Sequence, residues 1–188
     1  PEVVAAINAG HRNPLYLPSA TLAPTIRATG DLADLAALDI VLVVTPAQVL
    51  GKVLSGLARP PRDLVLCSKG IDAATGELMN EVAGRAAPGS TLAVLSGPTF
   101  AHEVAAGLPA AALVAAADPA LPARVLPRLG SGLFRLYAGD DPVGAQVGGA
   151  AKNVVAIAAG AVIGAGFGEN ARAALVTRGL AEIGRLAL

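Results

Sequence analysis

The chain has a single cysteine, Cys67, in 188 residues, so it holds neither an internal disulfide framework nor a multi-cysteine metal site. One thiol suits a reducing compartment, and a cytoplasmic location is the expectation. The two histidines, His11 and His102, stand apart, without the paired or carboxylate-flanked spacing that a metal ion needs. Neither sign of charge is in excess, since 14 basic residues balance 14 acidic ones. Nucleic-acid binders carry a basic surplus, so that class of partner is set aside. The longest uncharged stretch of interest, Val154 to Gly168, falls short of the roughly 20 residues a membrane-spanning helix needs. It reads instead as a tightly packed core helix, and no integral membrane segment is expected. The opening "PEVVAAINAG" shows neither an initiator Met nor a leader, and the chain reads as an excerpt of a longer protein.

What is abundant is apolar surface. At 54% hydrophobic and 15% charged, the chain has enough to bury a core, which excludes disorder. "EVVAAINAG" reads as the tail of a helix ending at a Gly10 cap, followed by a proline-punctuated loop. An alternation then begins. "DIVLVVT" (39–45), "DLVLCSK" (63–69), "TLAVLS" (91–96), "AAALVAAA" (110–117) and "LFRLY" (133–137) are short apolar runs of the kind that form buried strands. Helical patterns lie between them, one opening at Pro46, others at "ELMNEVAGRA" and "ARVLPRLG". Such alternation predicts an α/β fold with a doubly wound, mainly parallel sheet. From about residue 140 the strand signals stop. Two helices follow, separated by "GAGFGEN", the second with Val176, Leu180, Ile183 and Ala187 on one face and Arg178, Glu182 and Arg185 paired toward solvent. A boundary is expected there, with residues 1–139 in a sheet domain and 140–188 opening an all-α domain.

Ligands of open parallel sheets bind outside the carboxyl ends of the strands. Three such ends carry unusual residues: "VVTPAQ" (43–48), "CSKGID" (67–72) and "LSGPTFAHE" (95–103). Together they offer Thr45, Gln48, Lys69, Ser96 and Thr99, with backbone N–H groups beside Gly70 and Gly97 that a ligand can approach closely. Singly, Ser96 and Thr99 read better as turn or cap residues, and Gly97–Pro98 as a tight turn. Lys69 ends an apolar run, where a lysine either faces a site or snorkels to water. Lys152 opens the apolar stretch "KNVVAIAAG", a setting that suits a proton-exchanging amine, or else it starts a helix with its head in solvent. Asn153 beside it caps that helix or contacts a ligand. Both lysines are expected to face one pocket. Cys67 is read as a core residue without a partner base, and the pair His102–Glu103 as a solvated face.

The segments "RNPLYLP", "DIVLVVTPAQ", "SKGID", "VLSGPTFAHEVAAGLPAA", "GGAAKNVVAIAAG" and "GFGENARAALVTRGLAE", in that order, resemble the bacterial-type NAD(P)-dependent glycerol-3-phosphate dehydrogenases. The resemblance implies a truncated Rossmann-type dinucleotide-binding domain followed by the first helices of an all-α substrate domain. It implies interconversion of dihydroxyacetone phosphate and sn-glycerol 3-phosphate, the backbone of glycerophospholipids, with NAD or NADP as cofactor. By the same resemblance Lys152 matches the catalytic acid/base lysine. Lys69 matches a contact to both substrate and cofactor, Gly97 and Thr99 match substrate contacts, and Tyr16 and Ala101 match cofactor contacts. Asn153 accompanies the catalytic lysine toward the substrate.

Departures matter too. The G-x-G-x-x-G turn of dinucleotide-binding folds is absent, the helical domain stops early, and Ala151 stands where the family commonly has Leu. The excerpt alone is therefore expected to be inactive. The choice between NAD and NADP is not legible, and the apolar composition permits a homodimer. Rival readings are another dehydrogenase of this architecture, of hydroxyacid dehydrogenase or ketopantoate reductase type, and a non-catalytic nucleotide-binding relative.

Overall fold

Each of the five apolar runs forms a strand; the first, second and fourth strands stop short because the last residues of those runs leave the ladder, the third fills its run, and the fifth continues to Gly139. The structure, a computed structural model, describes residues 1–187. The strands β1 (Ile40–Val43), β2 (Asp63–Leu66), β3 (Thr91–Ser96), β4 (Ala110–Ala115) and β5 (Phe134–Gly139) make one sheet in chain order. The pairs β1–β2, β2–β3 and β4–β5 are parallel, whereas β3 and β4 run antiparallel. The reason lies in the connection. Between β3 and β4 the only helix is α4 (Ala101–Ala105), which rises about 7.5 Å, too little to carry the chain back along a strand of about 20 Å. It turns on the rim instead and re-enters from the same side. The carboxyl ends of β1, β2 and β3 therefore share a rim with the start of β4 and β5.

Side chains alternate across the sheet, and each face has its own core. On one face Val41, Val43, Leu64 and Leu66 pack against α2 (Leu50–Ser55) and α3 (Met79–Ala86) through Leu50, Leu54, Met79 and Val82. On the other, Val65, Ala93 and Val114 meet Leu121 and Val125 of α5 (Ala120–Leu129). Pro46 does not open α2 as expected. It is extended, at φ −55° and ψ 143°, and precedes a 3-10 turn over Ala47–Val49. The first helix, α1 (Glu2–Gly10), closes one residue beyond Gly10, with His11 in the left-handed region at φ 51°.

One ion cluster ties α5 to the sheet. Asp63 is 0% exposed and receives both arms of Arg124, Nε on Oδ2 at 2.9 Å and Nη2 on Oδ1 at 2.8 Å, with Arg62 at 3.1 Å. A buried carboxylate is tolerated only when its charge and lone pairs are met in this way.

The two last helices are α6 (Pro142–Gly164) and α7 (Gly168–Leu186). At 23 residues, α6 is longer than the uncharged run suggested, and by length and composition alone it is long and apolar enough to cross a membrane. Its first half lies on β3 and β4, its second half against α7. The expectation of a core helix is not met in this chain. Val154 is 69% and Ile157 74% exposed, because α7 covers only one face of that half. Gly179 makes the contact close, since a Cβ there would lie 2.7 Å from Val155 Cγ2. Leu180 faces out rather than sharing the packed stripe. Arg178 and Glu182 pair as expected at 3.0 Å.

Hydrogen bonds from Arg124, then Arg62, outweigh burial and hold the Asp63 carboxyl below its ordinary value. The stabilisation is present above the ordinary carboxylate range of about 4 and is lost as pH falls through the lower folded value. Asp63→Asn should cost on the order of 3–5 kcal/mol at neutral pH in urea melts. It should also flatten the loss of stability on acidification below about pH 4.

Candidate active site

The shared rim gathers the residues singled out from the strand ends. After β5 leaves at the opposite rim, α6 climbs back across β3, gaining about 15 Å between Pro142 and Lys152. This brings Lys152 level with the end of β3. What lets the helix lie so close is Gly149, one turn earlier. It is buried, and a Cβ built on it would sit 3.1 Å from Ser96 Oγ and 3.8 Å from Lys69 Cγ. Gln146, also buried, fixes the helix laterally: its Oε1 accepts from the Asn80 N–H at 3.0 Å and its Nε2 donates to the Pro142 carbonyl at 3.0 Å. Lys152 is thus a mid-helix residue, half-buried. Neither it nor Asn153 starts or caps a helix.

The single pocket expected for both lysines is divided in two. Lys152 lines a cavity of about 240 Å³ with Ser96, Gly97, Pro98, Leu113 and Gly149. Lys69 lines another of about 480 Å³ with Val44, Cys67, Leu95, Thr99, Ala101 and Phe134. Ser96 and Leu95 point to opposite faces, so the end of β3 is the wall between the cavities. The stem of Lys69 passes over that wall toward Gly149. The rim thus separates the predicted contacts, Gly97 with Lys152 on one side, Thr99 and Ala101 with Lys69 on the other. Asn153 is exposed beside Lys152 and lines neither cavity. Tyr16 is 75% exposed in the loop after α1 and lines neither.

Local geometry explains the residue types. At Gly97 a Cβ would stand 2.7 Å from the Ala111 carbonyl oxygen and 2.8 Å from Ala112 Cα. Glycine is required there by the approach of β4. The Thr99 N–H then bonds to the Gly97 carbonyl at 3.0 Å, closing a tight turn over Pro98. At the end of β1 the hydroxyl of Thr45 is buried without a partner. Cys67 behaves as a core thiol: burial pushes it up to about 11, against the opposing charge of Lys69, so it is protonated and unreactive at neutral pH. His102 and Glu103 are exposed, as read. Gly149 and Ser96 were in plain view in the sequence, but only their contact gives them a role. A glycine inside a helix where a charged residue follows one turn later was the available signal.

The family model for the N-terminus of NAD-dependent glycerol-3-phosphate dehydrogenase matches residues 1–121, and that for its C-terminus matches residues 141–188. The chain belongs to the NAD-dependent glycerol-3-phosphate dehydrogenase family. Among curated relatives it is similar to glycerol-3-phosphate dehydrogenase of Erythrobacter litoralis, 57% identical over 97% of this chain and 55% of the relative. It is also similar to that of Novosphingobium aromaticivorans, 55% identical over 100% of this chain and 57% of the relative. The crystal structure of glycerol-3-phosphate dehydrogenase from Coxiella burnetii superposes with a TM-score of 0.89 at 35% identity, covering 98% of this chain and 58% of that one. The chain spans somewhat over half the length of these proteins.

The family description names NAD, and the Lys69 cavity fits part of such a group. Leu42, Val44, Leu95 and Val104 offer apolar walls of the kind a flat ring needs, and Lys69 and Thr99 are polar side chains that line it. The Gly-rich turn that holds the pyrophosphate in dinucleotide-binding folds is not among these residues.

Gly97→Ala should cost about 1–3 kcal/mol, since the added methyl meets backbone rather than a movable side chain. A thermal melt of the variant at unchanged activity and stability would contradict this account of the turn.

Proposed function

We propose that this chain carries the rim at which an NAD(P)-dependent enzyme interconverts dihydroxyacetone phosphate and sn-glycerol 3-phosphate. The observation that carries the reading is Lys152, half-buried at the end of β3 and lining a cavity with Gly97, in a chain of this family. When bound, the nicotinamide cofactor supplies the reducing equivalent. The remaining work falls to side chains. As the ketone carbon is reduced, negative charge grows on its oxygen. The ammonium of Lys152 stabilises that charge and delivers the proton, and in the reverse direction the amine accepts it. Lys69, reaching over the wall from the cofactor side, contributes a second positive charge toward the same carbonyl and holds it in register. Gly97 and Thr99 would contact the substrate from the turn between the cavities, and Asn153 would orient it. Ala101 and Lys69 would contact the cofactor, with Tyr16 closing on it from the loop after α1.

In this reading the part up to residue 139 handles the cofactor and lends Gly97 and Thr99 to the substrate, and the helices from residue 140 complete the substrate side with Lys152. The two lysines then sit one on each side of the division, which is why neither half alone would be competent. The product would feed glycerophospholipid synthesis, in the cytoplasm.

Intact protein with NADH or NADPH should reduce dihydroxyacetone phosphate and leave 2-keto acids untouched. A preference for 2-keto acids would replace this reading by a hydroxyacid dehydrogenase. Lys152→Ala should lower kcat by at least about a hundredfold while cofactor affinity stays within about threefold, the signature of a group acting in the transition state. Unchanged turnover would remove Lys152 from the mechanism.

A further inference from the structure

The segment that presents Lys69 has almost no regular structure of its own. Between β2 and α3 the chain runs from Cys67 to Leu78 with only an isolated bridge between Ile71 and Leu78. A long, exposed lysine on such a segment has little reason to hold one position. Three contacts nevertheless bracket it, and all three come from one stretch at the end of β1, Thr45 to Gln48. Immediately before Lys69, the Ser68 hydroxyl donates to the Thr45 carbonyl. Immediately after it, Gly70 turns at φ 139° and packs on Ala47, whose Cβ lies 3.1 Å from where a Cβ of Gly70 would be. One residue further, the Gln48 side chain spans the loop. Its Nε2 donates to the Ile71 carbonyl at 2.8 Å, and its Oε1 accepts from the Ala73 N–H at 2.9 Å.

We infer that Gln48 is a positioning residue for Lys69, setting where the lysine amine stands at the rim. The chemistry singles out this residue type. One planar amide must both donate and accept, at a reach that Asn is too short for and that Glu or Met cannot match in donors and acceptors. Gln48 is itself exposed and outside both apolar cores, so its two bonds hold the loop rather than the fold. Removing them costs little global stability, whereas a misplacement of about 1 Å in a group facing the reacting atoms can cost about a hundredfold in rate. The inference rests on the proposed function for Lys69.

The test uses the intact protein in a double-mutant cycle with Gln48→Met and Lys69→Ala, together with amide exchange. Gln48→Met should lower kcat/KM by roughly ten- to a hundredfold, shift the melting temperature by no more than about 4 °C, and speed exchange of the Ala73 amide. On the Lys69→Ala background the same substitution should cost less than about twofold, because its effect passes through the lysine. An equal loss on both backgrounds, no loss on the wild-type background, or unchanged exchange at Ala73 would overturn the inference. If Lys69→Ala alone leaves turnover intact, the proposed role of Lys69 falls instead, and the exchange at Ala73 still reports whether the clamp exists.

Discussion

Everything at the rim depends on how closely α6 can lie on the end of β3. A helix and a strand packed through ordinary side chains would keep Lys152 several ångströms farther out. Gly149 removes that spacing, letting the helix rest on Ser96 and on the stem of Lys69. Gln146 then holds the helix against α3 through the Asn80 N–H. The cationic residue is therefore carried by a helix whose height above the sheet is set by the contact of Gly149 with the Ser96 side chain. In the proposed reaction this is what a proton donor needs, since it must meet a developing charge without reorganising.

The second constraint is the direction of β4. Because α4 is too short to cross the sheet, β4 returns antiparallel, and its first residues stand beside the end of β3. Gly97 lies in the resulting crease, with no room for a side chain against Ala111 and Ala112. The same crease makes the wall between the two cavities. In the proposed reaction cofactor and substrate would lie on opposite faces of this wall, with the stem of Lys69 reaching across it.

Stability and chemistry are kept at opposite ends of the strands. The Asp63–Arg124 pair lies at the start of β2, where its bidentate geometry locks α5 to the sheet. The rim carrying Lys69 and Lys152 has no comparable ion pair among the described residues. In the proposed reaction, cations without ion-pair partners at this end would draw in an anionic substrate.

Much of the fold was legible in the sequence because it rests on local periodicity. The apolar runs gave all five strands, the Gly-rich break separated α6 from α7, and the strand-end residues marked the rim. The motif resemblance supplied the family that the family models then matched. What periodicity cannot carry is contact between distant segments. The reversal of β4, the burial of Asp63 by Arg124, the wall that splits one expected pocket into two, and the role of Gly149 each depend on which distant segments come into contact. The sequence by itself determined the elements and the chemical types available to them. Only the tertiary structure decided which residues share a cavity, because that depends on packing distances between segments that no local pattern encodes.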